Sequence, residues 1–192
     1  MSSNRPDMPT DPDAASGITV PLEALVGSDA PRAMHDFVKY WIDKRGEAWM
    51  PAFGDIDPVE IPWALSRIYV VDVLPDGDFV YRLAGEAVAE RYDRTLKGTR
   101  ISDLFSDRSA DLILERWRRV ASGPSAYYSY TQHASIRGPS VTARRVMLPL
   151  GGDGRTADRL LGFAVFDEDE RSQDQFSNGL ITKDVRWSDL RR

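Results

Sequence analysis

Tyr81-Arg82-Leu83-Ala84-Gly85-Glu86-Ala87-Val88-Ala89-Glu90-Arg91-Tyr92, followed by Leu96-Lys97-Gly98-Thr99-Arg100-Ile101-Ser102-Asp103-Leu104-Phe105, is the stretch on which the fold turns. Its first residues continue a strand-like run over 79–84. Gly85 and Lys97-Gly98 then divide the remainder into short helical pieces over 86–92 and 101–105. Upstream, residues 67–74 are rich in Ile, Tyr and Val and read as a strand. Pro75-Asp76-Gly77-Asp78 joins the two strands as a hairpin, because proline presets one dihedral and glycine accepts a positive φ. Downstream, a longer helix is expected over about 107–122. Ile113, Trp117, Val120 and Ala121 share one face of it, Glu115 lies four residues before Arg119, and Gly123-Pro124 stops it. Three more strands are expected at 126–136, 141–150 and 160–167, joined by Arg137-Gly138-Pro139 and Gly151-Gly152-Asp153-Gly154. The order is two strands, a helical excursion and three strands. It implies an α+β fold with a five-stranded antiparallel sheet and helices on one face.

The ends read differently. Residues 1–27 are expected to be a flexible tail, since Pro6, Pro9, Pro12 and Pro21 are scattered among Ser, Asp and Ala without an apolar period. Ser28-Asp29-Ala30-Pro31 is a helix-start signal, and Met34, Phe37, Val38, Trp41 and Ile42 draw one apolar stripe on an additional amphipathic helix ending near Gly46. Residues 28–167 thus make one domain with this helix included, and 168–192 read as a polar C-terminal tail, with Leu180, Ile181, Val185, Trp187 and Leu190 leaving room for a short docking segment. The stripe must be covered. One solution is a homodimer through Met34, Phe37, Val38 and Trp41; the other is packing of the helix on the open sheet face of its own domain.

Composition removes several function classes. The 192 residues contain no cysteine, which excludes disulfides, thiol catalysis and cysteinyl cofactor attachment, and a cytoplasmic location is the expectation. With 25 Lys+Arg against 30 Asp+Glu and a net charge of -5, nucleic acid is not an expected partner. No apolar run approaches the roughly 20 residues that span a bilayer, so no membrane partner is expected either.

The strand and helix order, together with the wording of 81–92 and the L-x-G-x-x-x-x-D-L-F passage at 96–105, resembles the PAS domain. More specifically, Trp41 with Lys44-Arg45-Gly46, Met50-Pro51-Ala52, Asp55-Ile56-Asp57-Pro58 and Tyr81-Arg82-Leu83-Ala84-Gly85 resemble the PAS_5 family of single-domain alphaproteobacterial proteins over about residues 32–167. The resemblance implies a PAS fold and a sensory or signalling role. PAS domains that bind haem resemble one another in an axial histidine on the long helix, and those that hold flavin or a chromophore covalently use a cysteine. Residues 107–122 contain no histidine and the chain no cysteine, so neither cofactor is expected, nor any metal.

Catalytic signatures are lacking. Gly151-Gly152-Asp153-Gly154 is superficially similar to the GGDEF signature of diguanylate cyclases, but it reads as a hairpin loop because the remaining 38 or so residues cannot supply that catalytic domain. His35 and His133 are the only histidines and read as ordinary surface or half-exposed residues. No enzyme activity is expected. If the PAS fold holds a ligand between sheet and helices, then Arg82, Tyr92, Trp117, Tyr128, Tyr130 and Gln132 are the candidate ligand-binding residues, Arg82 offering a bidentate fork to a small planar or acidic molecule. The alternative is a filled core with Arg82 in a structural ion pair. Two functions remain open: a module that binds a small molecule and reports to a signalling partner, or an adaptor that works through protein contacts alone.

Overall fold

The computed structural model describes residues 17–92, 94–104, 108–123, 125–133, 140–169 and 180–191, with the side chains of 108, 109, 133, 140, 168, 169, 180 and 181 left aside. Among these residues there are seven strands: β1 (Ile18–Thr19), β2 (Ile68–Val73), β3 (Phe79–Ala84), β4 (Ser125–His133), β5 (Ser140–Leu150), β6 (Arg159–Asp169) and β7 (Leu180–Asp189). Four helices accompany them: α1 (Arg32–Arg45), α2 (Glu86–Ala89), α3 (Ile101–Leu104) and α4 (Arg108–Ser122). The strands form one sheet in the order β1-β7-β4-β5-β6-β2-β3. All neighbours are antiparallel except β1 and β7, which run parallel.

The five-strand expectation is therefore corrected to seven. β7 falls in the stretch read as a polar tail, where Val185 and Trp187 point to one face while Asp184, Arg186 and Ser188 alternate with them. That alternation is a half-buried strand, and it lies along the whole of β4, from Ser125 opposite Asp189 to His133 opposite Leu180. β1 is too short to show a period. Residues 17–27 also depart from the tail expectation: Ile18 and Thr19 pair with Arg186 and Trp187, and Leu22, Leu25 and Val26 are buried. Prolines hid this, yet Pro21 sits just before a single 3-10 turn at Leu22–Ala24, a position where its missing N–H costs nothing. Residues 1–16 lie outside the described residues.

Both faces of the sheet are covered. α4 lies on one, with Trp117 against Phe79, Tyr69 and Tyr81. α1 lies on the other, where Phe37 stacks on Phe163 at 4.7 Å and the Trp41 indole donates to the Pro149 carbonyl at 3.2 Å. Met34, Phe37, Val38 and Trp41 are all buried inside their own chain. The dimer interface expected on these four residues is thereby overturned in favour of packing in cis. The outward face of α1 is ion-paired instead, Arg32 with Asp36 and Lys39 with Asp43, which is a solvated surface. Among the described residues no helix is long and apolar enough to cross a membrane.

The β2–β3 hairpin is tied to the helical excursion by Asp78. This residue is 5% exposed and accepts from Arg100 Nε at 2.8 Å, Ser102 Oγ at 2.7 Å and the Phe79 amide at 2.7 Å. Arg100 also pairs with Asp76. Burial pulls the Asp78 carboxyl upward, but the donors outweigh it and hold it below the ordinary carboxylate range. A carboxyl depressed in the folded state contributes stability that is present above its unfolded value of about 4 and is lost as pH falls through the lower folded value. Asp78→Asn should therefore lower the melting temperature at neutral pH and flatten the further fall below about pH 4. A pH series of thermal melts checks this, and parallel acid limbs for the two proteins would refute it.

Candidate functional site

Where α4 crosses the sheet, strand parity brings aromatic rings from several elements together. β2 supplies Tyr69, β3 supplies Phe79 and Tyr81, α4 supplies Trp117, and Tyr92 comes just after α2. Ring centroids of Tyr69 and Tyr81 are 6.0 Å apart, and those of Tyr69, Phe79 and Tyr81 stand 6.2, 5.5 and 6.5 Å from Trp117. These spacings are those of tilted and edge-to-face aromatic pairs. Tyr69 lies over Gly162, its partner across the β2–β6 ladder, and a side chain at that position would overlap the ring. β4 adds Tyr127, which packs on Trp187 of β7 at 4.8 Å and whose hydroxyl accepts from buried Arg116 of α4 at 2.8 Å.

The polar atoms of this interior are mostly phenols, and a hydrogen bond links the Tyr81 and Tyr92 hydroxyls. Burial pushes the hydroxyls of Tyr69, Tyr81, Tyr92 and Tyr127 up, while the charge of Arg145 pulls all four the other way. Burial prevails, so the four phenols stay protonated at neutral pH and remain hydrogen-bond donors. Arg145 projects on the same sheet face from β5, where it stands opposite Ser129 of β4 and Ala164 of β6. Its guanidinium donates to Thr131 Oγ1 at 3.0 Å and lies 5.4 Å from the centre of the Phe166 ring, which Arg91 approaches at 5.1 Å.

Of the six residues expected to bind a ligand, the fold brings only Tyr92 and Trp117 to this interior. Tyr128, Tyr130 and Gln132 are on the opposite face of β4. Tyr128 is buried and its hydroxyl is pushed up to about 12 by that burial, while Tyr130 lies beneath the Arg144 guanidinium at 4.0 Å and near Lys183 at 5.2 Å. Gln132 is buried there too. Arg82 lies on the sheet face opposite α4 and pairs with Asp72 at 2.8 Å, as does Arg159 at 3.1 Å, so it is a surface ion-pair residue outside this interior. Period-two parity correctly keeps Tyr128, Tyr130 and Gln132 together but does not say which face meets α4. The neighbouring set, Tyr127, Ser129 and Thr131, takes that place. Tyr69, Tyr81, Tyr127, Arg145 and Phe166 were missed. Adjacent Arg144 and Arg145 within an apolar strand were the available signal, since alternation must turn one of them inward on each face.

His35 is half-exposed on α1, and the side chain of His133 lies outside the described residues. Gly151 and Gly154 form the turn between β5 and β6, where Asp153 accepts the amides of Arg155 and Thr156. A separate concavity of about 280 Å³ opens to solvent beside the end of α4, and its acidic residue, Asp189, is engaged by Arg191.

An antiparallel sheet with a helical excursion inserted between its second and third core strands, enclosing an aromatic interior, defines a PAS-type domain. A family model described as PAS_5, a PAS domain, matches residues 30–165, and the chain belongs to that family. The family is one of sensory and signalling modules. A solved structure titled "Structure of RsLOV d2 variant" is similar at 18% identity with a TM-score of 0.38, over 60% of this chain and 68% of that one. No curated protein matches the chain.

Proposed function

We propose that this PAS domain is a sensor that holds a small molecule between α4 and the sheet and passes the occupied state to a partner protein in the cytoplasm, without catalysing a reaction. The observation that supports this reading is the cluster of Tyr69, Phe79, Tyr81 and Trp117 rings on the sheet face where the Arg145 guanidinium bonds Thr131 and lies against Phe166. A core serving stability alone fills with Leu, Ile, Val and Phe, whose rotamers are well defined and which bring no polar atoms. Aromatic walls with a few fixed polar groups are the lining of a ligand site.

A second reading, the pure adaptor, rests on the segment between α1 and β2. Val59 is 83% exposed, Trp63 41% and Leu65 39%, so three large apolar side chains face solvent within seven residues. An exposed apolar patch marks contact surfaces. The two readings share that output surface and differ in the interior. Native mass spectrometry of the freshly purified protein separates them. A sensor should carry a small molecule, or take one up from a fragment library with a rise in melting temperature, and Trp117→Leu should abolish the gain. A bare chain mass together with no stabilising fragment would leave the adaptor.

A further inference from the structure

The half-buried arginines of this sheet have carboxylates. Arg144 pairs with Asp29 and Asp167 at 3.4 Å, Arg159 with Asp72 at 3.1 Å, and Arg186 with Asp184 at 2.8 Å. Arg145 breaks the pattern. It is half-buried, and among the described residues it has the Thr131 hydroxyl and the Phe166 ring but no carboxylate. A cation in an aromatic interior loses hydration and needs an anion or a set of acceptors to offset the loss. Among the described residues its neighbours offer no anion and one hydrogen-bonded acceptor, Thr131 Oγ1, while the nearby phenols are protonated and Tyr81 and Tyr92 bond to each other.

Resting on the sensor reading above, we infer that the ligand of this interior is a small planar monocarboxylate, with Arg145 as its anchor. The charge is set by Arg145, whose donor fork fits two carboxylate oxygens side by side. The phenols are the second set of donors, since they can give hydrogen bonds to an anion but receive little from it. Planarity is favoured by the aromatic surroundings: Phe166 lies beside the guanidinium, and Tyr69, Tyr81 and Trp117, packed on one another at 6.0 to 6.5 Å, close the interior on the same sheet face. Arg91, which approaches the same Phe166 ring at 5.1 Å, is exposed, so Arg145 is the half-buried cation that meets a single carboxylate.

The test uses the full chain with sodium benzoate, sodium 4-hydroxybenzoate and sodium cinnamate as probes, benzamide as the neutral isostere and inorganic phosphate as the second anion. Thermal shift and calorimetry should show stabilisation by the carboxylates and none by benzamide or phosphate. Arg145→Met should weaken carboxylate binding by roughly 10- to 100-fold, the loss of a bidentate charge-assisted contact. In the absence of probe the same variant should melt no lower than the wild-type protein, because no buried carboxylate is stranded. Arg145→Lys keeps the charge without the fork and should bind with intermediate affinity. A carboxylate released from the purified protein on denaturation supports the inference as well. Benzamide binding as tightly as benzoate, carboxylate affinity unchanged in Arg145→Met, phosphate binding in preference, or a co-purified neutral molecule would each overturn the ligand class while leaving the sensor reading in place. Arg145→Met and Arg145→Lys both melting far below wild type would make Arg145 a scaffold residue and end the inference. No probe binding and no co-purified molecule would end both readings together.

Discussion

Trp41→Ala is expected to destabilise the protein by about 3–5 kcal/mol, the range for removing a fully buried large aromatic side chain. In a chain of this size that is a fall in melting temperature of roughly 6–20 °C. Trp41 has no exposed surface, its indole N–H is bonded to the Pro149 carbonyl, and one turn earlier Phe37 stacks on Phe163 in the middle of β6. The variant therefore removes volume and a hydrogen bond at once, and the alanine leaves the Pro149 carbonyl facing a cavity. Concentration distinguishes this from loss of a dimer contact. A helix packed in cis gives a midpoint independent of protein concentration, whereas a helix buried only in an association gives one that rises with it. Guanidinium unfolding at low and high protein concentration measures both. A cost no larger than that of a surface substitution, combined with a midpoint that moves with concentration, would return α1 to an intermolecular role.

How much of the fold was legible in the sequence depends on how far each pattern constrains the chain. The hairpin at 75–78 and the stop after α4 were readable because proline and glycine each have a specific backbone consequence. The stripe on α1 announced an apolar face, and both of its possible partners satisfy the same stripe; only tertiary placement chooses between them. β7 was hidden by composition, since its second face carries Asp184, Arg186 and Ser188, polar residues that a tail carries as readily. Which side of β4 meets α4 was not legible for a different reason. Tyr127 and Tyr128 are both buried, one under α4 and its arginines, the other under the segment that leads into α1, so exposure does not break the tie between them. A sheet covered on both faces leaves alternation without a sign. Arg144 and Arg145 carry the same ambiguity, and their partners resolve it: Asp29 and Asp167 for one, phenols and Phe166 for the other.

Gly162→Ala should have the second large effect, and it reaches from packing to ligand binding. Gly162 faces Tyr69 across the β2–β6 ladder, and an added Cβ would overlap the hydroxyl end of that ring. Glycine inside a strand marks such a close approach. The ring cannot yield freely, because Tyr81 and Trp117 stand behind it at 6.0 and 6.2 Å. Overpacking of this kind costs about 1–3 kcal/mol. If Arg145 anchors a carboxylate in this interior, displacing the phenol should also reduce the benzoate stabilisation of Gly162→Ala at temperatures where it is fully folded. Tyr69→Leu in the same chain should recover part of the stability, with a coupling of about 0.5–3 kcal/mol between the two positions in a double-mutant cycle. The double variant separates packing from recognition: it relieves the overlap without restoring the phenol. Melting temperatures near wild type together with benzoate binding still weakened would assign Tyr69 to the ligand. A Gly162→Ala protein that melts and binds like wild type would mean that the ring does not rest on β6 as placed, and the aromatic interior would have to be redrawn around it.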